Sequence, residues 1–267
     1  MKLNFIKMQA SGNDYLFFDC LCAPLEEPEL VAQKLCKRRF GVGADGLVLL
    51  LPSKTADARM RIFNADGSEA QMCGNASRCA AKLLYESNFV RKSRIRLETN
   101  SGLRELYLTV KNGQIENVSV EMGKIKVGEL FSFENNGERF EMREANVGNA
   151  HQVCFLPDVD LLDLERQGAK FEHNPRFENG VNTDFCEIVD KNHLKVRTYE
   201  RGSAETYACG TGACASAAVG IMLGACDFSK QIRISMRGGD LFVNCDEQFN
   251  ARLQGNAHRV FEGVAYL

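Results

Sequence analysis

The chain has 267 residues, of which 45% are hydrophobic and 25% charged, and its formal net charge is −2. This length suits one large domain or two of ordinary size, and the composition is that of a globular protein. A charge so close to neutral gives no bulk attraction to nucleic acid or to anionic lipid, so neither is an expected partner.

The predicted elements of the first half alternate between strands and helices. A helix is expected at residues 28–39, because Pro28 stands near its start and Gly41 lies just past its end. A second helix is expected from residues 73–75 to about residue 88. Strands are predicted at 3–6, 15–18, 46–51, 59–64, 95–99, 104–111 and 115–122, with a hairpin turn at Lys111-Asn112-Gly113.

The second half repeats this alternation. A short helix is expected at 160–167 and an Ala-rich helix at 210–224. Strands are predicted at 139–147, 152–156, 183–190, 193–199, 231–236 and 240–245. The Ala- and Gly-rich stretch 213–226 is too short to span a membrane, and residues 1–7 lack a signal-peptide pattern, so a cytoplasmic protein is predicted.

One sequence pattern occurs twice, roughly half a chain length apart. The segment that begins at Cys73 (CGNASRCAA) recurs at Cys209 (CGTGACASA), and each copy opens a helix of small residues. A repeat at half the chain length predicts two similar domains. We place them at residues 1–122 and 123–256, with the last strand, about 257–267, packing on the first domain.

A cysteine directly before a helix has a specific physical meaning. The first backbone N–H groups of a helix lack partners within it, and the positive end of the helix dipole lies there. Both effects stabilise a thiolate, so the pKa of such a cysteine can fall below roughly 8.5. The same N–H groups can hold a carboxylate, and the glycine that follows lets a ligand approach the backbone.

Two such cysteines facing one substrate would form an acid–base pair that inverts a stereocentre. One thiolate would remove the α-proton, and the other thiol would deliver a proton to the opposite face. A pair of this kind titrates as a unit and is active over a pH window. A single Cys-Gly before a helix is more often a small buried residue, but two copies with matched flanking residues favour the chemical interpretation.

Polar residues near both cysteines add to this pattern. Asn64 lies in a turn segment that precedes Cys73, and Glu200-Arg201 precedes Cys209. Arginine is a suitable bidentate partner for a carboxylate. Asn149 and Asn182 taken alone are typical turn residues, and His151 alone is more typical of a hydrogen-bonded structural histidine.

Five segments resemble the motifs of the diaminopimelate epimerases. They are residues 7–15 (KMQASGNDY), 41–46 (GVGADG), 63–75 (FNADGSEAQMCGN), 148–151 (GNAH) and 199–214 (YERGSAETYACGTGAC). The third and fifth are very specific, and the resemblance extends from Lys7 to the final strands. It implies two pseudo-symmetric α+β domains, each a β-sheet wrapped around a central helix, with the active site in the cleft between them.

The reaction implied is interconversion of LL- and meso-2,6-diaminopimelate, in bacterial lysine and peptidoglycan precursor synthesis, with no cofactor and no metal. The resemblance makes Cys73 and Cys209 the two bases. It gives the reacting carboxylate to Gly74, Asn75, Gly210 and Thr211, and the distal end of the substrate to Asn13, Asn64, Asn149, Asn182 and Arg201. Glu200 and His151 would lie beside the reacting centre, binding the ammonium group or tuning the thiols.

The sequence departs from the family pattern at four places. Gln9-Ala10 replaces His-Gly, Ala76-Ser77 replaces Gly-Ala, Ala150 replaces Pro, and Ala204 replaces Gly. None of these changes removes a proposed functional group, although Ala150 affects the backbone that aims Asn149 and His151.

Two other functions remain to be weighed. A racemase of the same superfamily acting on another amino acid would not need Arg201 and the asparagines as readers of a distal end. A metal-binding or redox module would use the eleven cysteines, but the spacings Cys73–Cys79 and Cys209–Cys214 do not fit a zinc ribbon. The sequence does not determine the oligomeric state, and a homodimer is the assembly considered.

Overall fold

The computed structural model describes residues 2–267 and contains four helices and eighteen strands within that range. In chain order they are β1 (Lys2–Ala10), β2 (Asn13–Asp19), α1 (Pro28–Leu35), β3 (Gly46–Leu51), β4 (Ala58–Asn64), β5 (Glu69–Ala70), α2 (Gly74–Glu86), β6 (Arg94–Thr99), β7 (Gly102–Lys111), β8 (Gln114–Lys124), β9 (Lys126–Asn135), β10 (Glu138–Asn146), β11 (Ala150–Phe155), α3 (Leu164–Glu172), β12 (Asn182–Asp190), β13 (His193–Glu200), β14 (Ala204–Thr206), α4 (Gly210–Met222), β15 (Ile232–Met236), β16 (Gly239–Cys245), β17 (Asn250–Gly255) and β18 (His258–Tyr266).

Contacts divide the chain into two compact units. The first runs through Glu121 and also contains Gly255–Leu267, and the second is Met122–Gln254. The chain therefore leaves the first unit within β8 and returns to it at the end of β17. No helix among residues 2–267 combines the length and the apolar character needed to cross a membrane.

The two units have the same strand order and the same strand directions. The first has the order β18-β1-β2-β3-β4-β6-β7-β8, parallel at β2–β3 and β4–β6. The second has the order β9-β10-β11-β12-β13-β15-β16-β17, parallel at β11–β12 and β13–β15. All other neighbours in these two orders are antiparallel. The repeat seen in the sequence is thus a repeat of the fold, and the predicted α+β class with two similar domains is confirmed.

Each sheet wraps around one helix of its own unit. Helix α2 contacts β1, β4, β6, β7 and β18, while α4 contacts seven strands of the second unit. Every residue of α4 from Gly212 to Ile221 is buried. A helix that is apolar on all sides must be enclosed, and its Ala, Gly and Ser residues let the strands approach closely. Its neighbours in the core include Val196, Ile234 and Val243.

The structure differs from the predicted elements in the bounds of two helices and in four strands. The helix expected at 160–167 begins at Leu164, because the Asp163 side chain caps it by accepting a hydrogen bond from the Arg166 N–H. Helix α1 ends at Leu35, four residues before the predicted end. Strands β5, β9, β14 and β17 were not predicted. Most residues of β9 are exposed or only half-buried, so its sequence lacks a clear apolar alternation.

Candidate active site

Cys73 occupies the cap position of α2. Its backbone is extended, with φ −141° and ψ 123°, and the helix begins at the next residue, Gly74. The first hydrogen bond of the helix runs from the Ser77 N–H to the Cys73 carbonyl, at 2.9 Å. The amides of Gly74 and Asn75 therefore lie in the first turn, where the helix dipole favours a negative charge. The half-buried thiol is placed at the positive end of the central helix of the first unit.

The phenol of Tyr15 contacts this thiol directly. Its oxygen lies 3.0 Å from Cys73 Sγ. Tyr15 is on β2 and is only 4% exposed. Burial, followed by the neighbouring Cys73, raises the pKa of Tyr15 well above its usual value, and a hydrogen bond with Asn13 opposes that increase. Asn13, Tyr15 and Cys73 thus form one connected polar group. The sequence motif contains Tyr15, but nothing in the pattern distinguished it as a functional residue.

Asn64, the remaining predicted residue of the first unit, lies at the end of β4. It stands opposite Gly46 of β3, which in turn stands opposite Tyr15 of β2. The Asn64 side chain donates to the Ser68 hydroxyl at 3.0 Å, within the turn that leads to β5. Three neighbouring strands therefore bring Asn64 and Tyr15 to the same end of the sheet.

Cys209 occupies the matching cap position of α4. Its backbone is again extended, with φ −121° and ψ 113°, and Gly210 and Thr211 form the first helical turn. Its Sγ accepts a hydrogen bond from the Gly212 N–H at 3.3 Å and lies 3.4 Å from the Thr211 hydroxyl. The two cysteines therefore share a local geometry, but their side chains have different neighbours.

The environment of Cys209 favours its protonated form. Burial, then the nearby carboxylates of Glu200 and Asp184, raise the pKa of Cys209 well above its usual value, against the hydrogen bonds from Thr211 and Gly212. Glu200 ends β13 and accepts a hydrogen bond from the Thr206 hydroxyl at 2.5 Å. Burial raises the pKa of Glu200, while hydrogen bonds with Thr206 and Cys209 lower it. Glu200 and the Cys209 thiol therefore form a directly interacting acid–base pair.

A buried histidine links to this pair through Thr211. His151, on β11, is fully buried, and its Nδ1 lies 2.7 Å from Asp184 Oδ2. Its Nε2 lies 3.0 Å from the Thr211 hydroxyl and 3.2 Å from Asn149 Oδ1. Nδ1–H donates to Asp184, and Nε2 contacts both the Thr211 hydroxyl and the Asn149 amide oxygen. Asp184 thus fixes the orientation of the ring.

Asp184 is a member of the site that the sequence analysis missed as a functional residue. Its Oδ1 accepts a hydrogen bond from the Thr198 hydroxyl at 2.8 Å, so both carboxylate oxygens are engaged. It lies two residues after Asn182, which was the residue predicted from this segment. Because β11 and β12 are parallel, with His151 opposite Asn182, the chain brings Asp184 within reach of the ring.

Asn182 connects two segments of the site. Its amide nitrogen donates to the Ala150 carbonyl at 3.0 Å, and its Oδ1 accepts from the Arg201 N–H at 3.0 Å. The Ala150 carbonyl thus keeps a partner at the position where the family has proline. The Arg201 guanidinium, which is exposed, donates to the Asn179 carbonyl at 3.1 Å. Asn149 Nδ2 lies 3.4 Å from the Thr211 hydroxyl.

Each unit thus groups its own predicted residues. The first holds Asn13, Asn64, Cys73, Gly74 and Asn75, and the second holds Asn149, His151, Asn182, Glu200, Arg201, Cys209, Gly210 and Thr211. All eleven cysteines are free thiols. Among residues 2–267, no three His, Cys, Asp or Glu side chains are grouped so as to hold a metal ion.

The contact between α4 and Asp184 gives a testable prediction. A Cβ added at Gly212 would lie 2.2 Å from Asp184 Oδ1 and 3.1 Å from the Thr198 hydroxyl. Gly212→Ala is therefore expected to displace Asp184 from His151, to lower the free energy of unfolding by about 1–3 kcal/mol and to reduce catalytic activity. Thermal unfolding and turnover measured on the same preparation check this.

Gly220→Ala is the matched control in the same helix. A Cβ there meets Cys226 Sγ and Leu194 Cδ1 at 3.1 Å, which are apolar contacts far along α4 from Cys209. It is expected to lower stability without a comparable loss of turnover. Equal losses of turnover in the two variants would contradict a special role for the Asp184 contact.

Comparison with known proteins adds to this geometry. A family model described as diaminopimelate epimerase matches residues 5–127 and 144–260. The diaminopimelate epimerase of Acetivibrio thermocellus is 41% identical to this chain over 275 aligned residues, covering 98% of both chains. That of Desulfovibrio desulfuricans is 38% identical, covering 99% of both.

Solved structures with lower sequence identity share the fold. A Bacillus anthracis phenazine biosynthesis protein of the PhzF family is 19% identical, with a TM-score of 0.77 over the whole of both chains. A probable proline racemase from Agrobacterium radiobacter K84 has a TM-score of 0.77 at 17% identity, covering 99% of this chain and 92% of its own.

Proposed function

Because the chain belongs to the diaminopimelate epimerase family, we propose that it interconverts LL- and meso-2,6-diaminopimelate with Cys73 and Cys209 as its two acid–base groups. The reaction is an epimerisation in lysine biosynthesis. The observation that carries the two-thiol assignment is the matched position of the cysteines, each capping the central helix of its own unit in extended backbone.

The proton steps at the α-carbon balance with these two groups. The Cys73 thiolate removes the α-proton, and the electron pair of the C–H bond moves towards the α-carboxylate. Cys209 then gives its thiol proton to the opposite face of the α-carbon. Cys73 ends as a thiol and Cys209 as a thiolate, and exchange with solvent restores the starting forms. In the reverse direction the two residues exchange roles.

The first turns of α2 and α4 supply the electrostatic part of the mechanism. Amides at a helix N-terminus bind a carboxylate, and they stabilise the negative charge that spreads onto it as the α-proton leaves. Gly74 and Asn75 occupy this turn in α2, and Gly210 and Thr211 occupy it in α4. Glycine directly after each cysteine allows the carboxylate to reach the backbone.

Glu200 and His151 support Cys209. The Glu200 carboxylate accepts the thiol proton when Cys209 acts as the base. His151, held by Asp184, lies 3.0 Å from the Thr211 hydroxyl and so fixes the Thr211 side chain beside the Cys209 sulfur. Because it lies near the reacting carbon, the Glu200 carboxylate can also bind the substrate's α-ammonium group.

A substrate with a second amino-acid end fits the remaining residues. Arg201 carries an exposed guanidinium, and guanidinium binds carboxylates in bidentate geometry. The side chain of Asn182, which holds the Arg201 backbone and the Ala150 carbonyl, keeps one further bonding position on each polar atom. Asn13, Asn64 and Asn149 complete the proposed set of distal-end readers. A racemase for a one-ended amino acid would have no use for such a set.

Proton exchange followed by NMR tests the function. The reduced protein is incubated with LL-diaminopimelate in heavy water, and we expect loss of the α-proton signal together with appearance of the meso isomer. Absence of both under fully reducing conditions would contradict the substrate assignment. Exchange with another amino acid in the same assay would favour the alternative racemase.

The location and assembly of the enzyme are further parts of the proposal. The biosynthetic reaction supports a cytoplasmic location. The apolar side chains of Val264 and Tyr266, two positions apart on one face of β18, are exposed, and exposed apolar side chains on an edge strand mark protein contacts, which supports a homodimer. Light scattering of the purified protein is expected to give a mass of twice the 29.7 kDa of one chain. Tyr266→Lys is expected to shift the measured mass towards that of a single chain. A monomeric wild type would contradict the homodimer.

A further inference from the structure

The hydroxyl of Tyr15 is held in one position by the sheet around it. On β2, Tyr15 stands opposite Met8 of β1 and opposite Gly46 of β3. Its ring packs edge-to-face against Phe17, with the centroids 6.5 Å apart. The 3.0 Å contact with Cys73 Sγ is therefore made by a buried, packed side chain.

The direction of this hydrogen bond follows from the state of the phenol. Burial and the adjacent thiol hold the pKa of Tyr15 well above its usual value, so the phenol keeps its proton at every pH at which the enzyme would work. A protonated phenol donates most strongly to an anionic acceptor, because charge-assisted hydrogen bonds are roughly twice as strong as neutral ones. The Tyr15 contact consequently stabilises the thiolate of Cys73 more than its thiol.

The second cysteine has the opposite surroundings. Cys209 is 5% exposed and lies near the carboxylates of Glu200 and Asp184, which oppose a second negative charge. Its hydrogen-bond donors, Thr211 and Gly212, are 3.4 Å and 3.3 Å from the sulfur, longer than the 3.0 Å Tyr15 contact at Cys73. Two cysteines with the same backbone geometry therefore differ in the charge that their neighbours favour.

We propose that Tyr15 is a catalytic residue whose hydroxyl donates a hydrogen bond to Cys73 Sγ and stabilises the thiolate that removes the α-proton. This inference rests on the two-base function proposed above. Tyr15 touches a reacting atom, so its hydroxyl acts directly on one of the two proposed acid–base groups.

Tyr15→Phe removes the hydroxyl and keeps the ring. Loss of a hydrogen bond to a charged sulfur removes a stabilisation of the Cys73 thiolate. Alkylation of Cys73 by iodoacetamide, which requires the thiolate, should therefore shift to higher pH by roughly one to two pH units. The acidic limb of kcat/KM should shift in the same direction. It should do so equally for both substrates, because the overall equilibrium constant fixes the ratio of the two kcat/KM values.

The experiment measures alkylation of each cysteine by peptide mass spectrometry from about pH 5 to about pH 10. In the wild type we expect Cys73 to react at lower pH than Cys209. Tyr15→Phe should shift Cys73 and leave Cys209 in place. Tyr107→Phe, which removes a half-buried hydroxyl that donates to Glu105 at 2.9 Å in the same unit, should shift neither.

Two results would overturn the inference. One is a wild-type protein in which Cys209 reacts at lower pH than Cys73, a measurement that requires no variant. The other is a folded Tyr15→Phe protein with an unchanged Cys73 profile. Alkylation requires no substrate, so failure of the epimerase assignment appears separately, as absent proton exchange with diaminopimelate.

Discussion

Replacing either Cys73 or Cys209 with alanine is expected to lower the rate of epimerisation by about 10⁴-fold or more. Inversion requires proton removal on one face of the α-carbon and proton delivery on the other, and neither thiol can serve both faces. Each variant still retains one acid–base group. In heavy water we therefore expect α-proton exchange without inversion, with Cys73→Ala and Cys209→Ala exchanging opposite stereoisomers. NMR and an assay for optical configuration, run on the same samples, separate exchange from inversion.

Cys79→Ala and Cys214→Ala are the matched controls. Each lies five or six residues after the proposed catalytic cysteine, inside the same helix, and both are fully buried. Burial raises the pKa of Cys79 to about 12, so that it stays an inert thiol. These variants are expected to keep most of the turnover. Near-wild-type epimerisation by Cys73→Ala or Cys209→Ala would eliminate the two-base scheme.

Glu200→Gln is expected to lower kcat in both directions by about 10²- to 10³-fold. The Glu200 carboxylate accepts the Cys209 proton when Cys209 acts as the base, and an amide of the same size cannot. Because burial raises the pKa of Glu200, the active carboxylate form is lost as the pH falls through that raised value. As the pH falls, the wild type should therefore lose activity in part because Glu200 becomes protonated. Glu200→Gln should lack this part of the pH dependence.

The thiol itself gives a second measurement on Glu200→Gln. Removing a carboxylate that opposes the thiolate should lower the pKa of Cys209, so its alkylation should shift to lower pH while Cys73 is unaffected. Glu187→Gln, which changes a half-buried carboxylate on β12, is the control and should leave both properties near wild type. An unchanged kcat together with an unchanged Cys209 profile would remove Glu200 from the mechanism.

The sequence predicted where the helices α2 and α4 begin. It predicted less well which side chains make contacts at those helix starts. The starts of α2 and α4 followed from a Cys-Gly pair before a run of small residues, because capping is a local property of the chain. The strands next to those helices also followed from local apolar patterning. Strand β9 escaped prediction because its pairing with β10, rather than its own sequence, makes it a strand.

Within the site, the same limit separates Cys73 from Tyr15. A cysteine at a helix start is visible in the sequence, whereas the contact between Tyr15 and Cys73 joins residues 58 positions apart and depends on the parallel pairing of β2 with β3. Asp184 was hidden for a similar reason, since its interaction with His151 exists only once β11 and β12 pair. Long-range pairing has no signature in a single sequence, and it created both of the contacts that were missed.

The return of the chain to the first unit has a consequence for how the protein is made. Strand β1 pairs with β18 from Lys2↔Tyr266 to Gln9↔His258, so its partner is synthesised only after the whole second unit. The second unit, Met122–Gln254, is continuous in the chain and has its full set of strands before β18 is made. During synthesis, the second unit can therefore fold first, while β1 keeps one edge unpaired until β18 has been made. The N-terminal unit is thus the part of the nascent chain that stays incompletely paired, and so prone to misassembly, for the longest time.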